Sequence, residues 1–129
     1  MSKYLYYAIF EFEDDAYNVF YPDLPGCVTF GKDMSEALKM AKDALEGHML
    51  VMEDYKETIP VASNPIEIVV PESALLIPIE IDTKLARYKE ENKYVKKTLT
   101  IPQYLNRLGE EKNVNFSQIL QDALRQHLT

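Results

Sequence analysis

The chain has 129 residues, 47% of them hydrophobic and 27% charged, with four glycines and a formal charge of −7. That is room for one ordinary domain or two small ones, and it excludes two large enzyme domains, a disordered chain and a collagen-like repeat. A single cysteine, Cys27, rules out an intramolecular disulfide and a zinc site of paired cysteines, and is read as a free, reduced, apolar residue.

Tyr4–Phe12 is rich in aromatic and β-branched residues and apolar at most positions, which predicts a central strand covered on both sides. Glu13-Asp14-Asp15 makes a polar turn into a second, antiparallel strand at Tyr17–Tyr21. Pro22-Asp23-Leu24-Pro25-Gly26-Cys27 prohibits both helix and ladder, and a third strand follows at Val28–Phe30.

Asp33 with Glu36 is a capping-box-like start, after which Ala37, Leu38, Ala41, Leu45, Met49 and Met52 recur at helical spacing over about 20 residues. Lys56–Ser73, with Pro60, Pro65 and Pro71, is mainly connection, with Ile66–Val70 as a candidate short edge strand. Leu75–Ile81 is a further strand that Pro78 confines to an edge or a bulge. Thr83–Asn92 has good helix formers and little apolar stripe, so a helical linker is expected at residues 83–93, between a domain at 1–82 and another at 94–129. Tyr4–Phe10 and Leu75–Ile81, the longest apolar runs, fall far below the roughly 20 residues that cross a bilayer, and neither is flanked like a secretory signal. A cytoplasmic protein is expected, with no membrane partner.

Charge divides along the same boundary. Residues 1–92 hold 8 Lys+Arg against 18 Asp+Glu, a net of −10, whereas residues 93–129 hold 6 against 3, a net of +3. An acidic body carrying a basic tail predicts two modules with different partners.

In the tail, Val95, Leu99 and Ile101 share one face of a predicted strand, while Lys96, Thr98 and Thr100 share the other. Pro102 suits the first position of a helix that carries Leu105 and Leu108 and ends at Asn113, a left-handed cap. Asn115 and Gln118 cap a second helix whose apolar face is Ile119, Leu120, Ala123, Leu124 and Leu128. A lone strand and two short amphipathic helices cannot satisfy a ladder or bury their stripes alone, so a homodimer is expected. A two-stranded ribbon fits the major groove of double-stranded DNA, which makes Lys96, Thr98 and Thr100 the base-reading candidates. The helix N-terminus at Asn115 to Ser117 is the phosphate-holding candidate. The pattern Lys96-Lys97-Thr98-Leu99-Thr100-Ile101-Pro102, followed by Asn113-Val114-Asn115-Phe116-Ser117, resembles the ribbon-helix-helix family, with Phe116 where that family often has a basic residue.

The order strand, strand, Pro22–Cys27, strand, Asp33-Met34-Ser35-Glu36-Ala37-Leu38 and long helix resembles the amino-terminal domain of HicB antitoxins, and with the tail the resemblance covers nearly the whole chain. It implies an α+β fold: a partial ribonuclease-H-like antiparallel sheet with one long helix, followed by a small ribbon-helix-helix dimerisation domain. It further implies a type II antitoxin, not itself an enzyme and without a cofactor, that neutralises a HicA-like mRNA-cleaving toxin and represses its own operon at operator DNA. The resemblance is compatible with a homodimer and with dimers paired into a higher oligomer.

An RNA-cleaving partner should be basic, which suits an acidic first domain. Tyr21, Asp23 and Leu24 are the toxin-binding candidates, on the expectation that loop and aromatic residues here are exposed. Two rival readings are a ligand-sensing ribbon-helix-helix repressor and a residual nuclease using Glu11, Glu13, Asp14, Asp15 and Asp23. His48 and His127 have no Cys or helical His partner and are not read as metal ligands. No Gly-rich phosphate loop, GxSxG elbow or HExxH run is present.

Overall fold

A computed structural model describes residues 2–91 and 93–129, in two compact units, the first ending at residue 92 and the second starting at Lys93. The first contains β1 (Lys3–Glu13), β2 (Ala16–Phe20), β3 (Val28–Gly31), α1 (Met34–Asp54), β4 (Ala74–Asp82) and α2 (Thr83–Glu90). Its four strands form one antiparallel sheet in the order β3-β2-β1-β4, so β1 is interior and β4, with Pro78, lies at an edge. Asp14 and Asp15 both adopt positive φ, 53° and 60°, which is the conformation a two-residue hairpin turn demands and which Asp tolerates. No helix among the described residues is long and apolar enough to cross a membrane.

Strand alternation sends Tyr6, Ala8 and Phe10 of β1 to one face, with Val19 of β2 and Ile79 and Ile81 of β4 beside them. Ala37, Ala41, Leu45, Met49 and Met52 of α1 cover that face, and Leu45 and Met49 are fully buried. Burying each of those two side chains contributes about 2 to 3 kcal/mol. Asp33 caps the helix by accepting the Glu36 N–H at 2.8 Å. The approach is close: a Cβ on Gly31 would collide with the Ala37 backbone, so only glycine ends β3 here. Leu38, expected in the apolar stripe, is instead 39% exposed, because the buried row advances mostly by four from Ala37 and leaves its neighbour on the flank.

The opposite face of β1 is less covered than expected. Ile9 is buried, but Leu5 is exposed and Tyr7 only half-buried. The predicted strand at Ile66–Val70 does not form; Pro65–Glu67 is a 3-10 turn whose Ile66 N–H is held by Asn64 Oδ1, and the segment has no ladder partner. The helix expected as a spacer exists, but α2 belongs to the first unit, with Thr83 and Ala86 buried.

One polar cluster ties three elements together. Glu53 near the end of α1 accepts hydrogen bonds from Tyr4 Oη of β1 at 2.6 Å, and from Thr83 Oγ1 at 2.8 Å and Arg87 Nη2 at 3.0 Å, both on α2. Arg87 also reaches Asp54 at 3.0 Å. Burial alone would raise the Glu53 carboxyl, but the three hydrogen bonds and the Arg87 charge outweigh it and hold the group below the usual carboxylate range. Burial, reinforced by the bond to Glu53, pushes the Tyr4 hydroxyl up to about 12.

Because the folded pKa of Glu53 is depressed, its stabilisation is fully present above the unfolded carboxylate value of about 4.3 and is lost as pH falls through the lower folded value. The Glu53→Gln variant is therefore less stable at neutral pH and has a flatter stability profile below about pH 5 than the parent, as denaturant titrations monitored by circular dichroism at a series of pH values will show.

Candidate functional site

The loop Pro22–Cys27 is closed by its own backbone. Tyr21 N–H donates to Cys27 O at 3.2 Å, Leu24 N–H to Tyr21 O at 3.0 Å and Cys27 N–H to Leu24 O at 3.0 Å, and Gly26 supplies a φ of +87°. Tyr21 and Leu24 point inward, 2% and 1% exposed, and Tyr21 Oη donates to Ala41 O at 2.6 Å. The expectation that they are exposed anchors is corrected: each is apolar enough to be worth more in the core than in water. Asp23 accepts from Ser63 N–H at 2.8 Å and Ser63 Oγ at 2.6 Å, clamping the connection that leads to β4. Cys27 is free and buried, and burial pushes its thiol up to about 11, which suits an inert packing residue.

The face of the sheet away from α1 is the open one. Antiparallel register sets Ile9 opposite Phe20 and Phe20 opposite Val28, so these share that face, as do Phe30 and Asn18 one pair along. Val28 and Phe30 are 65% and 60% exposed. Ile9, Phe20 and Pro22 meet Ser63, Ile68, Val69 and Pro71 around an open cavity of about 420 Å³.

The acids considered for a nuclease do not converge. Glu11 and Glu13 lie along β1, Asp14 and Asp15 form the hairpin turn, and Asp23 is engaged by Ser63. Among the described residues no three His, Cys, Asp or Glu side chains gather as a metal site would require.

The second unit contains α3 (Gln103–Glu111) and α4 (Phe116–Leu128). Lys96, Thr98 and Thr100 are all exposed, ahead of α3, within a segment that forms no ladder in this chain. The strand expected at Val95–Ile101 is therefore not formed, since a ladder needs a second strand to accept and donate its hydrogen bonds. Pro102 stands one position earlier than expected, as the residue preceding the first turn of α3. Asn113 adopts the left-handed conformation at φ 53°, and Asn115 Oδ1 accepts the Gln118 N–H at 2.9 Å as the α4 cap. Ser117 and Asn115 are exposed at that first turn. Phe116 is accommodated by Gly109, where any Cβ would collide with the ring, so the residue at this position packs against α3.

No described residue of this unit is buried. Leu99, Ile101, Phe116, Ile119, Leu120 and Leu124 instead line an open groove of about 830 Å³. Loss of the Asn115 cap in Asn115→Ala costs about 1 kcal/mol of α4 stability, readable as a lower unfolding midpoint by circular dichroism.

Comparison with known proteins agrees with this architecture. The family described as HicB-like antitoxin of bacterial toxin-antitoxin systems matches residues 6–122. An uncharacterised 14.9 kDa protein from the rep-hol intergenic region of Haemophilus phage HP1 is 36% identical over 103 residues, 78% of this chain and 75% of its own. Among solved structures, a chain of a toxin–antitoxin complex from Streptococcus pneumoniae aligns over 97% of this chain and 99% of its own, with 26% identity and a TM-score of 0.60. The Burkholderia pseudomallei antitoxin HicB aligns over 100% of both chains at 20% identity and a TM-score of 0.52, a likeness of fold. With the match running from β1 into α4, the chain belongs to the HicB-like antitoxins of bacterial toxin–antitoxin systems.

Proposed function

We propose that this chain is a type II antitoxin that works in the cytoplasm with two activities on two units. The first unit, read as a partial ribonuclease-H-like domain, binds a HicA-like mRNA-cleaving toxin and neutralises it. The second, read as a ribbon-helix-helix module, pairs with a copy of itself and holds operator DNA, repressing its own operon. The toxin half is supported by family membership, by likeness to a chain of a solved toxin–antitoxin complex and by the net charge of −10 on residues 1–92.

The observation that carries the DNA half is the second unit itself. It holds a net +3 and exposes an apolar groove 830 Å³ in volume with no described residue buried. A 37-residue unit of this kind lacks a core of its own, so pairing two copies supplies both the missing ladder and the missing burial. In the paired ribbon Lys96, Thr98 and Thr100 read base edges, while Asn115 and Ser117 hold a phosphate at the start of α4.

The decisive experiment has two arms on the full chain. In the first, calorimetric titration with the small protein encoded beside its gene, in catalytically disabled form, gives tight saturable binding; no binding at micromolar concentration overturns the toxin half. In the second, Lys96→Ala and Thr98→Ala weaken binding to the promoter fragment upstream of its gene while toxin neutralisation is unchanged. Each loss is about 1 to 3 kcal/mol, and parent affinity falls steeply between about 50 and 200 mM salt. If both activities fell together in a folded dimer, the two-unit division would be wrong.

A further inference from the structure

The charge of the first unit is not spread evenly over it. Residues 3–31 and 57–83, which supply all four strands and the connections on their side, hold ten Asp and Glu against one cation, Lys3 at the start of β1. α1 holds Lys39 and Lys42 against five acids, and α2 holds Lys84, Arg87 and Lys89 against Glu90. Most of the negative excess therefore belongs to the sheet and its connections, at −9, while α1 carries −3 and α2 +2.

The same side carries the unsatisfied apolar surface. Val28 and Phe30 on the edge strand β3 are largely exposed, and register places Val28 beside Phe20, which lines the 420 Å³ cavity with Val69. Val69 is itself 88% exposed, and the one charged residue in the lining is Glu67. An apolar centre beside acidic connections is the anatomy of an interface core with a charged rim.

We propose that the open sheet face around Phe20, Val28, Phe30 and Val69 is where the basic toxin docks, with an apolar toxin side chain entering the cavity and toxin Lys or Arg facing the acidic connections. This rests on the antitoxin reading above and names the surface that reading leaves unassigned. The occupant is argued from charge: an RNA-cleaving protein needs positive potential to hold phosphates, and the strands and connections on this side carry ten acids against a single cation, Lys3. Docking here sets carboxylates against the surface the toxin uses for RNA, so neutralisation follows from competition for the same positive charges.

The test uses the full chain and the catalytically disabled toxin-like protein encoded beside its gene. The double variant Val28→Lys/Val69→Lys alters two exposed side chains, so its melting curve matches the parent, and it binds at least about 30-fold more weakly, the loss typical of hot-spot residues. Val51→Lys, on the exposed side of α1, binds within about threefold of the parent. Should the parent itself fail to bind, the antitoxin reading falls and this inference with it. Should the parent bind while the double variant does so equally well, or while Val51→Lys loses as much, the face is misassigned although the antitoxin reading stands. A double variant that keeps toxin affinity but drops in assembly mass by sedimentation would assign the face to a second copy of this chain and overturn the proposal.

Discussion

The first unit depends on the seating of one long helix against one face of one sheet. Gly31 and Ala37 bring the two backbones close, and Ala41, Leu45, Met49 and Phe10 fill the buried layer between them. At about 1.5 Å per residue, the 21-residue α1 spans roughly 32 Å and is enough to cover the inner face, while α2 is held at the end of α1 by Glu53 and Asp54. The connection through Pro65 and Pro71 shields Ile9 and little else on the outer face. A sheet covered once rather than twice leaves apolar residues in water, and Val28 and Phe30 are that remainder.

The second unit meets the same constraint more severely. Its two helices are amphipathic, yet a chain of 37 residues has too little volume to turn both apolar stripes inward. Both units thus hold a fold whose burial is incomplete within one chain, and in both the incomplete part is the part read as an interface. The economy is physical: residues that would otherwise close a core are exposed where an association can bury them.

Most of this architecture was legible in the residues because it rests on local signals. The Asp33–Glu36 start, the four-residue row of α1, the Asp14–Asp15 turn, the edge position enforced by Pro78 and the Asn113 and Asn115 caps are each set by chemistry within a few residues. What was not legible depends on contacts distant in sequence. Tyr21 and Leu24 look like exposed loop residues until the hydroxyl of Tyr21 is found on the Ala41 carbonyl, 20 positions away. Asp23 looks free until Ser63 is found on it, and α2 looks like a spacer until Arg87 meets Glu53. The open sheet face was equally hidden, because an apolar strand reads the same whether one of its faces or both are covered.

Charge connects the two halves of this arrangement. At physiological ionic strength screening confines a surface charge to about 8 Å, so the sign that a partner meets is that of the local surface and not the chain's −7. An average taken over the whole chain argues against nucleic acid; residues 93–129 taken by themselves, at +3, argue for it. The same separation operates within the first unit, where five of the eight cations lie on α1 and α2 and only Lys3 lies within residues 3–31 and 57–83. A uniform distribution of the same residues would weaken attraction for a basic protein and for phosphate alike. Sorting the two signs onto different surfaces gives one short chain a face of each sign.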